Sequence, residues 1–181
     1  MKIEETNLKG VILLTPDSYG DSRGYFLETF NEKRYWEAGI QNIFVQDNIS
    51  KSVKGTIRGL HYQIGEFAQG KLCEVLYGKV IDVAVDLRKK SPTFGKYTAA
   101  ELSEENHRQI WIPPGFAHGF SVLSDEAIFH YKCSQFYSKE HERALYYADP
   151  DLAIDWKVKK PLVSEKDKKA KRFKDIGDDV F

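Results

Sequence analysis

The residues with the clearest capacity for chemistry lie between positions 58 and 71. Arg58-Gly59-Leu60-His61-Tyr62-Gln63 sets a guanidinium, a flexible glycine and an imidazole side by side, and Lys71 begins the next strand-like segment. An imidazole changes charge near neutral pH, so His61 among fixed cations is suited to moving protons beside an anionic ligand. Taken alone, a histidine in a strand is more often a hydrogen-bonded structural residue; the neighbouring cations lift His61 above that reading. A strict pleat sends Arg58 and His61 to opposite faces. If both meet one ligand, a bulge or twist near Gly59 is expected.

Two other motifs compete for the same stretch. Gly65 to Lys71 fits the first seven places of a phosphate-binding loop, but Leu72 stands where the magnesium-binding hydroxyl belongs. Residues 72–77 also alternate as a strand where such a loop opens a helix, so a triphosphatase reading fails. His61 and Gln63 are two apart, the spacing of a paired-histidine metal site, yet an amide is a poor transition-metal ligand. No metal site is expected here.

The elements that must position these groups read as β-strands. Short alternating segments separated by Gly, Pro and Ser run near 10–15, 24–30, 43–50, 55–63, 71–77, 80–87, 96–102, 108–112, 118–123, 127–136 and 143–147. The clearest hairpin is 71–77 and 80–87 about Gly78-Lys79, with Ile81, Val83, Val85 and Leu87 alternating against Asp82 and Asp86. Helix is scarce. Asn31 caps a short one over Glu32 to Ala38, ended by Gly39, and Ser164 with Asp167 imitates a capping box. So many strands in one small chain favour a closed or jelly-roll barrel.

Composition narrows the partners. The 181 residues suit a single domain spanning 1–181, and 27 basic against 27 acidic side chains leave no net field to recruit nucleic acid or an anionic membrane. No apolar run reaches membrane-spanning length and the start lacks the apolar core of a secretory signal, so the chain reads as cytoplasmic, with Cys73 and Cys133 as buried reduced thiols. Residues 157–174 carry nine Lys or Arg and two acids, in the main a solvated surface. His107, His130 and His141 read as structural or exposed.

Gly55, His61, Gln63, Glu74 and Gly78, with Pro113 to His118 downstream, resemble the two signature motifs of the cupin superfamily, an all-β double-sheet jelly roll. Several blocks taken together are more specific. They are Asp21 to Phe26, Phe44 to Asn48, Arg58 to Gln63, Asp82 to Arg88, Ser91 to Gly95, Ile112 to Phe120, and Tyr131-Lys132 with Tyr137. In this order and spacing the chain resembles the dTDP-4-dehydrorhamnose 3,5-epimerase family over nearly its whole length. It departs at Lys157, where the family usually has Pro after the tryptophan.

The resemblance implies a dTDP-4-keto-6-deoxy sugar as substrate and inversion at C3 and C5 without a cofactor. It implies His61 as base, Lys71 as a cation near the 4-keto oxygen, Tyr131 as acid and Asp167 as the carboxylate paired with the histidine. Substrate contacts carried over are Arg23, Glu28, Gln46, Asp47, Asn48, Arg58, His118, Glu142 and Lys166. Some of these come from a partner subunit in the family, which implies a homodimer with exchanged N-terminal strands. The rival readings are a relative that inverts one centre or isomerises the keto group, and a non-catalytic sugar-binding cupin.

Overall fold

The computed structural model of the protein describes all 181 residues. The chain opens with β1 (Lys2–Glu5), β2 (Ile12–Thr15), β3 (Ser18–Asp21) and β4 (Gly24–Leu27), then α1 (Glu32–Glu37). Next come β5 (Gln46–Val53), β6 (Thr56–Gln63), β7 (Lys71–Tyr77), β8 (Lys79–Asp86) and β9 (Tyr97–Ser103). After these follow β10 (Gln109–Ile112), β11 (Phe116–Val122), β12 (Glu126–Cys133), β13 (Glu142–Ala144), β14 (Leu162–Val163) and α2 (Glu165–Lys168). No helix is long and apolar enough to cross a membrane.

Two sheets face each other. One has the order β1-β2-β10-β7-β12-β5, and the other β13-β6-β11-β8-β9, with β14 added parallel to β6. Neither sheet closes on itself, so the jelly-roll half of the expectation is the one realised. The β3–β4 hairpin stands apart as a two-stranded ribbon.

The expected hairpin at Gly78-Lys79 does not form. β7 pairs with β10 and β12, whereas β8 pairs with β11 and β9, so the two consecutive segments lie in opposite sheets. The connection is a corner of the sandwich. Gly78 turns it at φ +79°, and a Cβ there would lie 2.1 Å from the Glu126 carbonyl oxygen, a place only glycine can occupy.

Alternation on β8 is real, but its polar positions are not on a wet face. Asp82 and Asp86 are both fully buried. Val80, Ala84 and the inward residues of β11 join Cys73, Val75 and Phe129 in the core between the sheets. Val83 and Val85 point outward and are buried by the C-terminal segment through Leu145, Leu152, Trp156 and Ile176. α1 is capped by the Asn31 side chain and packs Tyr35 against Leu14, Leu72 and Trp111 on the outer face of the first sheet. Both long sheets are therefore covered on two sides over their central strands, and this rigid frame is what fixes the interior side chains.

Asp86 ties down the loop after β8. Its carboxylate accepts bonds from the Arg88 backbone and guanidinium at 2.7–3.0 Å and from the Ser91 and Thr93 hydroxyls at 2.6 Å. Burial alone would raise its pKa; the Arg88 and hydroxyl bonds outweigh that and hold the carboxyl well below the usual range. Because the folded-state pKa is lowered, this contribution is complete above the unfolded value of about 4 and is lost as pH falls through the folded one. Asp86→Ala should destabilise the protein by roughly 3 kcal/mol in urea unfolding at neutral pH, with the difference from the parent shrinking in acid. A pH-independent difference would remove the ionised carboxylate from this role.

Candidate active site

The site is built where the sequence pattern is irregular. On β6, Arg58 pairs with Phe120 and His61 with His118, so three steps on β6 match two on β11, which is a bulge. Gly59 sits at this point with φ +127°, and a Cβ there would approach the Gly119 Cα to 2.5 Å. The extra residue turns Arg58 and His61 to the same interior face, as both line one cavity of about 500 Å³.

That cavity draws from both sheets. Lys71 on β7 and Tyr131 on β12 come from the first sheet, and Arg58, His61 and His118 from the second. Opposite residues in an antiparallel pair share a face, so the Tyr131–Cys73 and Cys133–Lys71 registers place all four side chains inward. The Lys71 ammonium lies 5.8 Å from the centre of the Tyr131 ring. Burial, ahead of any neighbouring charge, pushes the Tyr131 phenol up to about 12, so it is a protonated donor at neutral pH.

Asp167 reaches the site from α2. Ser164 caps this helix by accepting the Asp167 backbone N–H at 3.1 Å, while the Asp167 side chain turns away from the capping position. It accepts a 2.6 Å bond from His61 Nε2, with the carboxylate 4% and the imidazole 33% exposed. Burial would raise the Asp167 pKa, but the bond and charge of His61 lower it on balance. Donation from Nε2 leaves the Nδ1 lone pair of a neutral ring available as a base.

Gln63, by contrast, is committed to structure. Its amide donates to the carbonyls of Phe67 and Phe136 at 2.7 and 3.0 Å, and its oxygen accepts the Ser138 N–H at 2.6 Å. The phosphate-loop look-alike is a 3-10 turn at Gly65–Phe67 followed by β7, not the start of an α-helix.

Comparison with known proteins places the chain in a family. The family model for dTDP-4-dehydrorhamnose 3,5-epimerase matches residues 5–175. The chain belongs to the dTDP-4-dehydrorhamnose 3,5-epimerase family. It is 53% identical over 176 residues to the dTDP-4-dehydrorhamnose 3,5-epimerase of Shigella flexneri, covering 97% of each chain. The Legionella pneumophila dTDP-6-deoxy-D-glucose-3,5-epimerase, solved with dTDP-4-keto-L-rhamnose, superposes with TM-score 0.92 at 52% identity, over 94% of this chain and 92% of that one. A dTDP-4-dehydrorhamnose 3-epimerase from Streptomyces niveus is 37% identical, over 94% of this chain and 83% of its own.

Within this epimerase-family chain, most of the expected contact residues converge. Gln46 and Asn48 line a smaller recess continuous in its lining with His61, Lys71 and Tyr131, and Glu142 lines it as well. Glu142 accepts from Lys166 at 2.6 Å and from the Tyr137 hydroxyl at 3.1 Å; those bonds, against the effect of burial, lower its pKa. Arg58 donates to the Ser52 hydroxyl at 3.0 Å, which fixes its guanidinium at the cavity wall.

Three expected residues stay outside the cavity of one chain. Arg23 is at the tip of the β3–β4 hairpin, 88% exposed and paired only with Asp21. Glu28 pairs with Arg34 and Asn31 beside α1. Asp47 faces the opposite side of β5 from Gln46 and Asn48 and binds Lys132 at 3.0 Å.

Sequence reasoning missed Asp82. It lies under the cavity, where His118 Nε2 donates to its Oδ2 at 2.8 Å, a second histidine–carboxylate pair in which Asp82 is fully buried and His118 is 7% exposed. Burial, partly offset by Asp82, lowers the His118 pKa, so that ring is neutral near pH 7. The signal was available in an acid flanked by Val80, Ile81, Val83 and Ala84, since a buried carboxylate must find a partner.

Proposed function

We propose that this protein inverts C3 and C5 of dTDP-4-keto-6-deoxyglucose by proton abstraction and reprotonation, with His61 as base and Tyr131 as acid. The observation that supports this most directly is that the two side chains enter one cavity from opposite sheets. A proton can then leave one face of the sugar and another arrive on the other, which inversion demands. Breaking the C–H bond sends its electron pair into the enolate at O4 and its proton to His61 Nδ1. The Lys71 ammonium offers the positive charge that stabilises the enolate oxygen. Collapse of the enolate then takes the Tyr131 proton, and exchange with solvent restores both groups.

Asp167 is the positioning residue for His61 in this scheme. Asp167→Asn should lower kcat by about tenfold to a hundredfold while leaving nucleotide affinity within about threefold, because it affects ring orientation and charge more than docking. Equal losses in kcat and in binding would instead assign Asp167 to the shape of the cavity. The reading as a double epimerase is tested by incubation with dTDP-4-keto-6-deoxyglucose in heavy water. Deuterium at both C3 and C5 supports it, and label at one centre replaces it with a single-centre epimerase. Chelators should not lower turnover, since no step requires a metal.

The same reading takes the enzyme as a homodimer in the cytoplasm. The exposed hairpin carries Tyr19, Tyr25 and Phe26 in the open, and the edge strand β5 exposes Ile49 and Val53. An unpaired edge and an apolar ribbon are the features a second copy would cover, and Arg23 would then reach the partner's cavity, where its fork suits a diphosphate. The unpaired thiols of Cys73 and Cys133 fit a reducing compartment.

A further inference from the structure

We propose that Cys73, Asp82 and His118 form a binding site for one thiophilic divalent cation of the zinc class beneath the floor of the cavity. This site is distinct from the paired-histidine position that Gln63 breaks. Cys73 comes from β7, and Asp82 and His118 come from β8 and β11 of the facing sheet. One ligand atom from each lies within 4.8 Å of the other two. Cys73 Sγ is 3.9 Å and Asp82 Oδ2 is 2.8 Å from His118 Nε2.

The second observation is an orphaned oxygen. Asp82 Oδ1 is fully buried and has no hydrogen-bond partner in the chain. A buried carboxylate oxygen without a donor is costly, and a bound cation is one way to satisfy it. The donor set of one thiolate, one imidazole and one carboxylate is that of zinc and its congeners, not of magnesium or calcium. Bond lengths of about 2.0 Å to nitrogen or oxygen and about 2.3 Å to sulfur put tetrahedral ligands roughly 3.3–3.6 Å apart. The histidine–aspartate contact must open and the sulfur–nitrogen contact close by a few tenths of an ångström, within reach of side-chain adjustment.

Charge balances as well. The thiol proton leaves, the imidazole Nε2 proton moves to Nδ1, and thiolate plus carboxylate neutralise the dication. Lys71 faces the same interior and opposes a cation, and the two anionic ligands offset it. Of the three ligands, His118 also lines the cavity. Occupancy would therefore draw His118 away from substrate. That last consequence rests on the proposed epimerase function, whereas metal binding itself does not.

The test is titration of the purified metal-free protein with Co2+, followed by absorbance and equilibrium dialysis. One Co2+ per chain with a thiolate-to-cobalt charge-transfer band, displaced by Zn2+, is expected. Cys73→Val, which keeps core volume, should abolish the band and weaken binding by about a hundredfold or more, and Cys73→Ala should do the same. Both variants should retain parental activity in metal-free buffer and resist Zn2+ inhibition, while the parent is inhibited. Absence of a stoichiometric thiolate band, its survival in both folded Cys73 variants, or its loss only in Cys133→Ala would each overturn the site. Cobalt binding through Cys73 in a protein without epimerase activity would uphold this site and reject the proposed function.

Discussion

Replacing His61 by Ala is expected to lower both product formation and solvent exchange at C3 and C5 by about a thousandfold or more. Four features single out this side chain. His61 lies on the bulged strand that brings it to the cavity, its ring is partly open, its Nε2 is engaged by Asp167, and Nδ1 is left for the substrate. His118 is the other histidine lining that cavity, but it is 7% exposed and bound to Asp82. The measurement is deuterium uptake by NMR under single-turnover conditions, with nucleotide binding as the control for folding. Uptake near the parental rate in His61→Ala would transfer the role of base to His118.

Elements were more legible in the sequence than their pairings. The period-two pattern of 71–77 and 80–87 predicts two strands, found at Lys71–Tyr77 and Lys79–Asp86, and Gly78 predicts a tight connection. Yet a positive-φ glycine serves a hairpin and a sandwich corner equally well, and each strand buries residues on both of its faces, Leu72 and Cys73 in the first and Asp82 and Val83 in the second, so the pattern holds no record of which neighbour each one meets. β1 went unseen because Lys2-Ile3-Glu4-Glu5 is an exposed edge strand with little apolar signal. The helix at Glu32–Glu37 was readable because Asn31 and Gly39 supply local stop signals that need no tertiary context.

The site divides along the same line. The Arg58–His61 bulge followed from Gly59 and a conflict of parity, both local properties. Asp167 could be placed only through the family resemblance, because 106 residues separate it from His61 and its surroundings read as a solvated charge run. The departure at Lys157 proves compatible with that placement: Lys157 takes φ +57°, which a proline ring forbids, yet Trp156 before it is buried and α2 still delivers Asp167. Arg23, Glu28 and Asp47 are spread over the outside of one chain, and no reading of a single chain brings them to the cavity.

Tyr131→Phe is expected to separate proton removal from inversion. A single base that returns its own proton regenerates the starting sugar, so inversion needs a donor on the opposite face. Tyr131 stands on β12 in the sheet facing that of His61, and burial keeps its phenol protonated through the neutral range. The Phe ring should preserve packing against Phe129, which lies 6.0 Å away between ring centres, so the fold and nucleotide affinity are retained. Inverted product should fall by about a hundredfold, the scale of a lost general acid, while exchange of substrate hydrogens driven by His61 continues. The competing account makes Tyr131 an aromatic lining whose hydroxyl is idle, and it requires inversion at the parental rate in the Phe variant. That outcome would pass the acid role to Tyr137, whose hydroxyl already donates to Glu142 at the edge of the same recess, or to bound water. A variant that loses exchange and inversion together would instead show that Tyr131 acts before the enolate forms, and the two-face division of labour would have to be abandoned.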